Sequence, residues 1–283
     1  MSATPSNVFT SYTRHRAWSS WSSVSSHAPA VVSSSSASDT AAYDAARHHL
    51  LTLRGCRYCG SELLPQVVPT DSTGLLHTFR TVRQSATYCP LCGWWILETE
   101  EHIGGGAVER DVSDIAEGVI DCYDVSSVEV PVTEVRRYLA SHREDVAALH
   151  PAKFEQLVAS VFRDFFDCEV VHVGGPGDNG IDALAIIGST THLIQAKRRK
   201  SVGAVESVAT VREFLGALIG ARGRRGHLVT TASGFSRSAR RLASSTSLRE
   251  HQIELNLVSF EDLFRMLSIA NKRLPAVWAH LVK

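Results

Sequence analysis

The chain has 283 residues, 44% of them hydrophobic, with 29 Lys and Arg against 29 Asp and Glu. That length holds one large domain or two small ones, and no uninterrupted apolar run approaches a membrane span. The zero net charge hides an asymmetry: from residue 150 onward 18 Lys and Arg face 12 Asp and Glu, +6, leaving −6 before it. A basic C-terminal half suits a phosphate-rich partner.

Residues 1–45 are dominated by Ser, Ala and Thr, with SSSSAS at Ser33–Ser38. Such a composition buries too little apolar surface to offset ordering entropy, so a disordered leader is expected. It is no secretory signal, because Arg14, His15 and Arg16 are followed by WSSWSS rather than an apolar core. A cytoplasmic setting follows. Trp18 and Trp21 fit either a short docking motif or local contacts.

Over residues 46–103, four of the six cysteines form CRYCG (Cys56, Cys59) and CPLCG (Cys89, Cys92). Paired CxxC units about thirty residues apart supply four thiolates that close tetrahedrally around a structural Zn²⁺. Gly60 and Gly93 allow the tight knuckles this requires. The segment resembles a zinc ribbon, with strands near Leu63–Val68 and His77–Arg83. With every ligand slot filled by sulfur, a catalytic zinc is not expected. Trp94 and Trp95 are expected to pack against the ribbon or the following domain. The ribbon's role stays open between nucleic-acid binding, protein binding and stabilisation. Residues 104–149 read as a linker: a flexible break at Gly104-Gly105-Gly106, an extended stretch from Val119 to Val132, and a helix from Thr133 to Leu149 with Thr133 as N-cap.

From residue 150 the pattern becomes regular. Pro151 fits the first turn of a helix, and Phe154, Leu157, Val158, Val161, Phe162 and Phe165 recur at helical spacing, with Glu155 beside that stripe. Two apolar runs, Ile181–Ile187 and His192–Ala196, flank a turn and read as a β-hairpin. A two-residue loop at Ser189-Thr190 sets Asp182 opposite Lys197 and Leu184 opposite Gln195. Gln195 and Lys197 then share a face, and a carboxylate, an amide and an ammonium converge at one end of the hairpin. A surface hairpin with a weak Asp–Lys ion pair fits the short pattern too. By itself the short pattern fits that ion pair better; the segments around it favour the second reading, a divalent cation and a phosphate. Asp182 offers a hard anionic ligand, and the Gln195 amide oxygen or the Ala196 backbone carbonyl a neutral one. A Mg²⁺ or Mn²⁺ ion there acidifies water and offsets charge on the phosphate, with Lys197 placed where negative charge develops.

Three basic clusters follow: Arg198, Arg199 and Lys200; Arg222, Arg224 and Arg225; and Arg237, Arg240 and Arg241, the last three on one face of a helix. Lacking interleaved aromatics, they read as DNA-backbone contacts with little sequence preference. Thr230–Gly234 reads as a strand end feeding a helix N-terminus, a phosphate-contact point.

Six segments in order, PAKFEQLVASVFRDFF, EVVHVGGPGDNGIDALAI, LIQAKRRK, VATVREFLGAL, HLVTTASGFSRSARRLA and IELNLVSFEDLFRML, resemble the Mrr-like branch of the PD-(D/E)xK nuclease superfamily. The resemblance spans about His150 to Leu267 and implies a restriction-endonuclease-like α/β core with a mixed central sheet flanked by helices, over residues 150–283. It places Asp182, Gln195 and Lys197 in the catalytic triad, with Gln where the wider superfamily has an acid, and makes Glu155 a metal ligand. The expected function is metal-dependent DNA cleavage in restriction of foreign or modified DNA. The alternatives are an inactive nucleic-acid-binding module and a zinc-ribbon adaptor. DNA is the expected partner, with a homodimer or a protein partner through the N-terminal region also open.

Overall fold

The computed structural model describes residues 8–25, 28–34, 36–68, 71–75, 78–105, 108–173 and 180–282. The chain divides into two compact units, Thr10–Cys122 with Pro275–Lys283, and Met1–Phe9 with Tyr123–Leu274.

The first unit is built on strands β1 (Val8–Ser25), β2 (Ala28–Ser34), β3 (Leu64–Val67), β4 (Asp71–Leu75), β5 (Thr78–Tyr88), β6 (Trp95–Gly104) and β7 (Val108–Asp124), with helix α1 (Ala37–Leu51). They form one sheet in the order β2-β1-β7-β6-β5-β3, with β4 also paired to β5. The expected disordered leader is corrected here. Residues 8–25 and 28–34 are strands, and Ser36 caps α1 by accepting from Asp39 N–H at 3.2 Å. Aromatic anchors outweigh the serines. Tyr12 is buried, and its carbonyl accepts the Trp95 indole N–H at 2.8 Å. Residues 1–7, 26–27 and 35 of the leader lie outside the described residues.

The ribbon is also larger than 46–103. Its knuckles belong to the seven-stranded sheet, and Trp94 and Trp95, both 0% exposed, sit in the core of this unit with Tyr12, Ile115 and Trp278. Trp278 lies 5.9 Å from the Trp95 ring, so the residues after 274 belong here rather than to the nuclease-like unit. The glycines after Ile103 do not separate domains. β6 ends at Gly104 and pairs antiparallel with β7, Ile103 opposite Arg110.

The second unit comprises α2 (Val132–Leu139), a 3₁₀ turn at Arg143–Ala148, α3 (Pro151–Phe166), β8 (Glu169–His172), β9 (Ala183–Ile187), β10 (Thr190–Lys197), β11 (Val205–Glu206), α4 (Val208–Gly220), β12 (Arg225–Thr230), β13 (Gly234–Phe235), α5 (Arg237–Ala243), α6 (Thr246–Glu250), β14 (Glu254–Val258) and α7 (Phe260–Ala270). The single helix expected over 133–149 is thus two pieces, and Pro131, not Thr133, is the N-cap. A five-stranded mixed sheet runs β14-β12-β10-β9-β8, parallel from β14 to β10 and antiparallel beyond. Alternation along the strands splits the core into two layers. Ala183, Ala185, Ile194 and Val229 face α2, α3 and α7, whereas Leu193, Leu228 and Leu255 face α4 and α5. α3 begins as its sequence dictates, with Pro151 in the first turn and the His150 ring accepting from Ala152 N–H at 3.3 Å. α7 carries a full capping box between Ser259 and Asp262.

Two histidines occupy the α3 layer. His192 Nδ1 and His227 Nε2 are 2.9 Å apart, both rings are buried, and Phe162 packs edge-on to His227. One donates and the other accepts, and burial disfavours the charged form of both. Burial, then the neighbouring His192, hold His227 down to about 4. A protonated His227 is thus disfavoured in the fold but not in the unfolded chain, so stability is lost as pH falls from the ordinary histidine value toward 4. Melting temperature should fall across that window, and His227→Gln, which stays neutral, should flatten the slope; an unchanged slope would assign the acid sensitivity elsewhere.

Candidate active site and cysteine metal centre

β9 and β10 turn at Gly188-Ser189, not at Ser189-Thr190, with Leu193 opposite Leu184 and Ile194 opposite Ala183. The register therefore moves by two residues from that expected, and Gln195 rather than Lys197 stands level with Asp182. A shift of two preserves the face of every side chain, so Gln195 and Lys197 still share the face expected of them, with Lys197 two residues further from Asp182 than expected.

Below Ala183 the ladder becomes irregular. Asp182 N–H still donates to Ile194 O at 2.9 Å, but the next β10 amide, Ala196 N–H, donates to the Asp182 carboxylate at 2.6 Å. The acid thus lies against the peptide between Gln195 and Lys197, 8% exposed. Gln195, 4% exposed, donates its amide N–H to Gly180 O at 2.6 Å. Only an N–H can donate to a carbonyl, which fixes the amide orientation and leaves Oε1 buried without a hydrogen-bond partner among the described residues. Gly180 is required here. Its φ is +80°, and a Cβ would stand 2.7 Å from Gln195 Nε2. A buried carboxylate beside an orphaned amide oxygen is the donor set of a hard divalent cation. The 174–179 segment leading into Gly180 lies outside the described residues.

Glu155 lies elsewhere in the layers. Its carboxylate is 3.3 Å from His172 Nε2 on β8. His172 pairs with Ala183, whose side chain faces α3, so this contact belongs to the α3 layer, whereas Gln195 and Lys197 alternate with Ile194 toward α4.

The basic clusters separate by position. Arg199 makes a two-pronged pair with Glu206, both contacts 2.6 Å, and Glu206 is 2% exposed. Arg198 donates to Ala147 O at 2.6 Å, which leaves Lys200 as the exposed member of that cluster. Arg224 donates to His251 O at 2.6 Å and Arg225 to Thr190 Oγ1 at 2.8 Å. Arg225 pairs with His192 and Thr230 with Lys197, so the second cluster sits at the opposite end of the sheet, roughly 16 Å of strand away. These three arginines are therefore withdrawn from the expected contact set around the site, as is the guanidinium of Arg199. Arg237, Arg240 and Arg241 are exposed, on a helix that starts at the Lys197 end. Thr230 and Thr231, expected near phosphate, are 0% exposed and spend their hydroxyls on Lys197 O, Glu206 and Arg199 O.

In the first unit the Leu64–Tyr88 register brings the two knuckles together. Cys56 and Cys92 sulfurs are 3.4 Å apart, as are Cys59 and Cys89, and all four lie within 4.8 Å of one another. A tetrahedral Zn–S₄ site has edges of about 3.8 Å. The knuckles are alike: Gly60 N–H donates to Cys56 O and Gly93 N–H to Cys89 O, with φ of +74° and +82°. All six cysteines are free thiols. Burial pushes Cys92 up to about 12 and raises Cys56, whereas hydrogen bonding with Ser61 lowers Cys59 to about 6. Arg57 ties the first knuckle to the buried Glu117 of β7 at 2.8 and 3.0 Å.

Residues 146–267 match the Mrr catalytic family, described as restriction endonuclease. Over 114 residues the chain is 36% identical to the type IV methyl-directed restriction enzyme EcoKMrr of Escherichia coli (strain K12), covering 36% of this chain and 34% of that protein. The chain thus spans about a third of the length of that relative. Among solved structures, restriction endonuclease FokI matches with a TM-score of 0.33 and 13% identity, over 52% of this chain and 32% of FokI. Residues 146–267 are thus similar to the catalytic domain of restriction endonucleases, and within that class to the Mrr branch.

Sequence reasoning missed Glu206 at the end of β10, and Tyr12 and Trp278 in the first unit; it read Thr230 and Thr231 as a phosphate-contact point and not as partners of that strand end. No motif marks Glu206, since its pairing depends on β12 lying beside β10. If the four cysteines hold zinc, purified protein should carry about one zinc per chain, and Cys89→Ser should lose the metal and melt the first unit at lower temperature. Metal-free protein that melts identically after chelation would refute the assignment.

Proposed function

We propose that the second unit is a divalent-metal-dependent DNA endonuclease that hydrolyses phosphodiester bonds, acting in restriction of foreign or modified DNA. The observation that carries this reading is the buried Asp182 carboxylate with the buried Gln195 Oε1, which has no hydrogen-bond partner among the described residues, two residues from the Lys197 strand end, in an Mrr-like domain. Asp182 and Gln195 Oε1 would hold Mg²⁺ or Mn²⁺, with the Ala196 carbonyl as a further candidate; Glu155, against His172 in the α3 layer, is not grouped with them. When bound, the ion neutralises phosphate charge and acidifies water. Lys197 supplies a cation where the phosphoryl oxygens gain charge, and Gly180 holds the Gln195 amide so that its oxygen stays turned to the ion. The four cysteines of the first unit would hold a structural zinc. No helix among the described residues is long and apolar enough to cross a membrane.

Asp182→Ala should abolish cleavage of plasmid DNA in Mg²⁺ or Mn²⁺ while leaving DNA binding in EDTA. Lys197→Ala should slow it by about 10²–10³-fold. Gln195→Glu separates two roles of that side chain. As a metal ligand it keeps cleavage with an altered metal preference; as a mere donor to Gly180 O it loses cleavage with every metal. Wild-type protein that cuts no duplex, junction or single strand, or Asp182→Ala protein that cuts normally, would turn the reading to a binding module without catalysis.

DNA contact should come from the exposed arginines of α5. Replacing Arg237, Arg240 and Arg241 together with Ala should weaken binding across sequences and reduce the logarithmic salt slope by up to about 3. Replacing Arg222 and Arg224 should change neither. Equal effects from the two sets would overturn this division of the basic surface.

A further inference from the structure

The end of β10 is held by a polar clamp that the nuclease reading does not use. Lys197 O accepts from Thr231 N–H at 3.2 Å, and Arg199 N–H donates to Thr231 Oγ1 at 2.7 Å, which donates back to Arg199 O at 3.2 Å. Thr230 Oγ1 has one proton between Lys197 O at 3.1 Å and Glu206 Oε1 at 2.8 Å. Glu206 closes the clamp from β11 through its two-pronged pair with Arg199. Its carboxylate is 2% exposed, and Thr210 also donates to it. A buried charge of this kind is costly unless every oxygen is satisfied, so its geometry is tightly determined. What it fixes is the backbone on either side of Lys197, through β12.

We propose that Glu206 is a positioning residue for Lys197: paired with Arg199 and Thr230, it locks the peptide from residue 197 to 199 onto the end of β12 and so sets where the Lys197 ammonium stands over the phosphate. The inference rests on the nuclease reading for Lys197. Its chemical consequence is a dependence of the chemical step, but not of DNA binding, on a residue that touches neither metal nor DNA.

The test uses full-length protein. Glu206→Gln keeps the shape but removes the charge and sets an amide N–H against one of the two Arg199 or Thr230 donors. It should lower kcat at least ten-fold with KM for DNA within two-fold, and speed amide exchange in peptides covering 195–200 but not in those covering α3. Arg199→Lys, which keeps the charge with one contact, should fall between it and wild type. The decisive arm is the pair Glu206→Gln with Lys197→Ala: if Glu206 acts through Lys197, the double variant is no slower than Lys197→Ala alone. A kcat within two-fold of wild type, a KM that rises with the loss of kcat, effects that multiply in the double variant, or exchange that rises throughout the unit would each overturn the proposal. Wild-type protein that does not cleave at all is a different outcome, which sinks the nuclease reading itself; the exchange at 195–200 then still reports whether Glu206 holds that peptide.

Discussion

Where β9 parts from β10, the Ala196 N–H donates to the side chain of Asp182 rather than to a backbone carbonyl. A buried amide cannot be left unpaired, so a carboxylate is drawn into the sheet and held there. The rest of the candidate site follows from that substitution. The Gly180 carbonyl is taken by the Gln195 amide, and among the described residues the Gln195 oxygen is left without a donor. The sheet's own hydrogen-bond accounting thus leaves a buried amide oxygen near a buried carboxylate, the kind of oxygen a hard cation can satisfy.

The same economy divides the arginines. Runs of basic residues in a sequence look alike, but a guanidinium with a buried carboxylate or carbonyl within reach is spent on the fold. Arg199 closes on Glu206, Arg198 on Ala147 O, and Arg136, 0% exposed, on Asp164, Ser160 and Asn271. A buried pair of this kind adds little net stability but fixes geometry. The exposed arginines of α5 are left for solvent and ligand. In the first unit the sulfurs play the part of the carboxylate. Four thiols packed within 4.8 Å, on knuckles whose backbone bonds are nearly identical, form a group that could hold one metal ion.

Composition misled at the N-terminus for a definite reason. Averaged over residues 1–45, serine dominates, and averaged entropy argues for disorder. Strand formation does not depend on the average. Tyr12 packs in a core of Trp94, Trp95 and Ile115, and neighbouring strands supply the ladder bonds that serine-rich backbone accepts as readily as any other. Trp278 shows the converse: a residue after the last nuclease motif belongs to the other unit because its ring completes a tryptophan cluster.

The sequence by itself determined what depends on local chemistry and period. The two-fold alternation placed Gln195 and Lys197 on one face, the CxxC spacing marked the four thiols, the helical stripe defined α3, and six ordered motifs marked the Mrr-like domain. The tertiary structure alone decided what depends on partners far along the chain. The two-residue register of β9 on β10 depends on which turn closes, the orphaning of Gln195 Oε1 on Gly180, and the sequestration of Arg199 on β11 and β12 lying beside the strand end. Residue types are local properties; whether a polar group is satisfied is a property of everything folded around it.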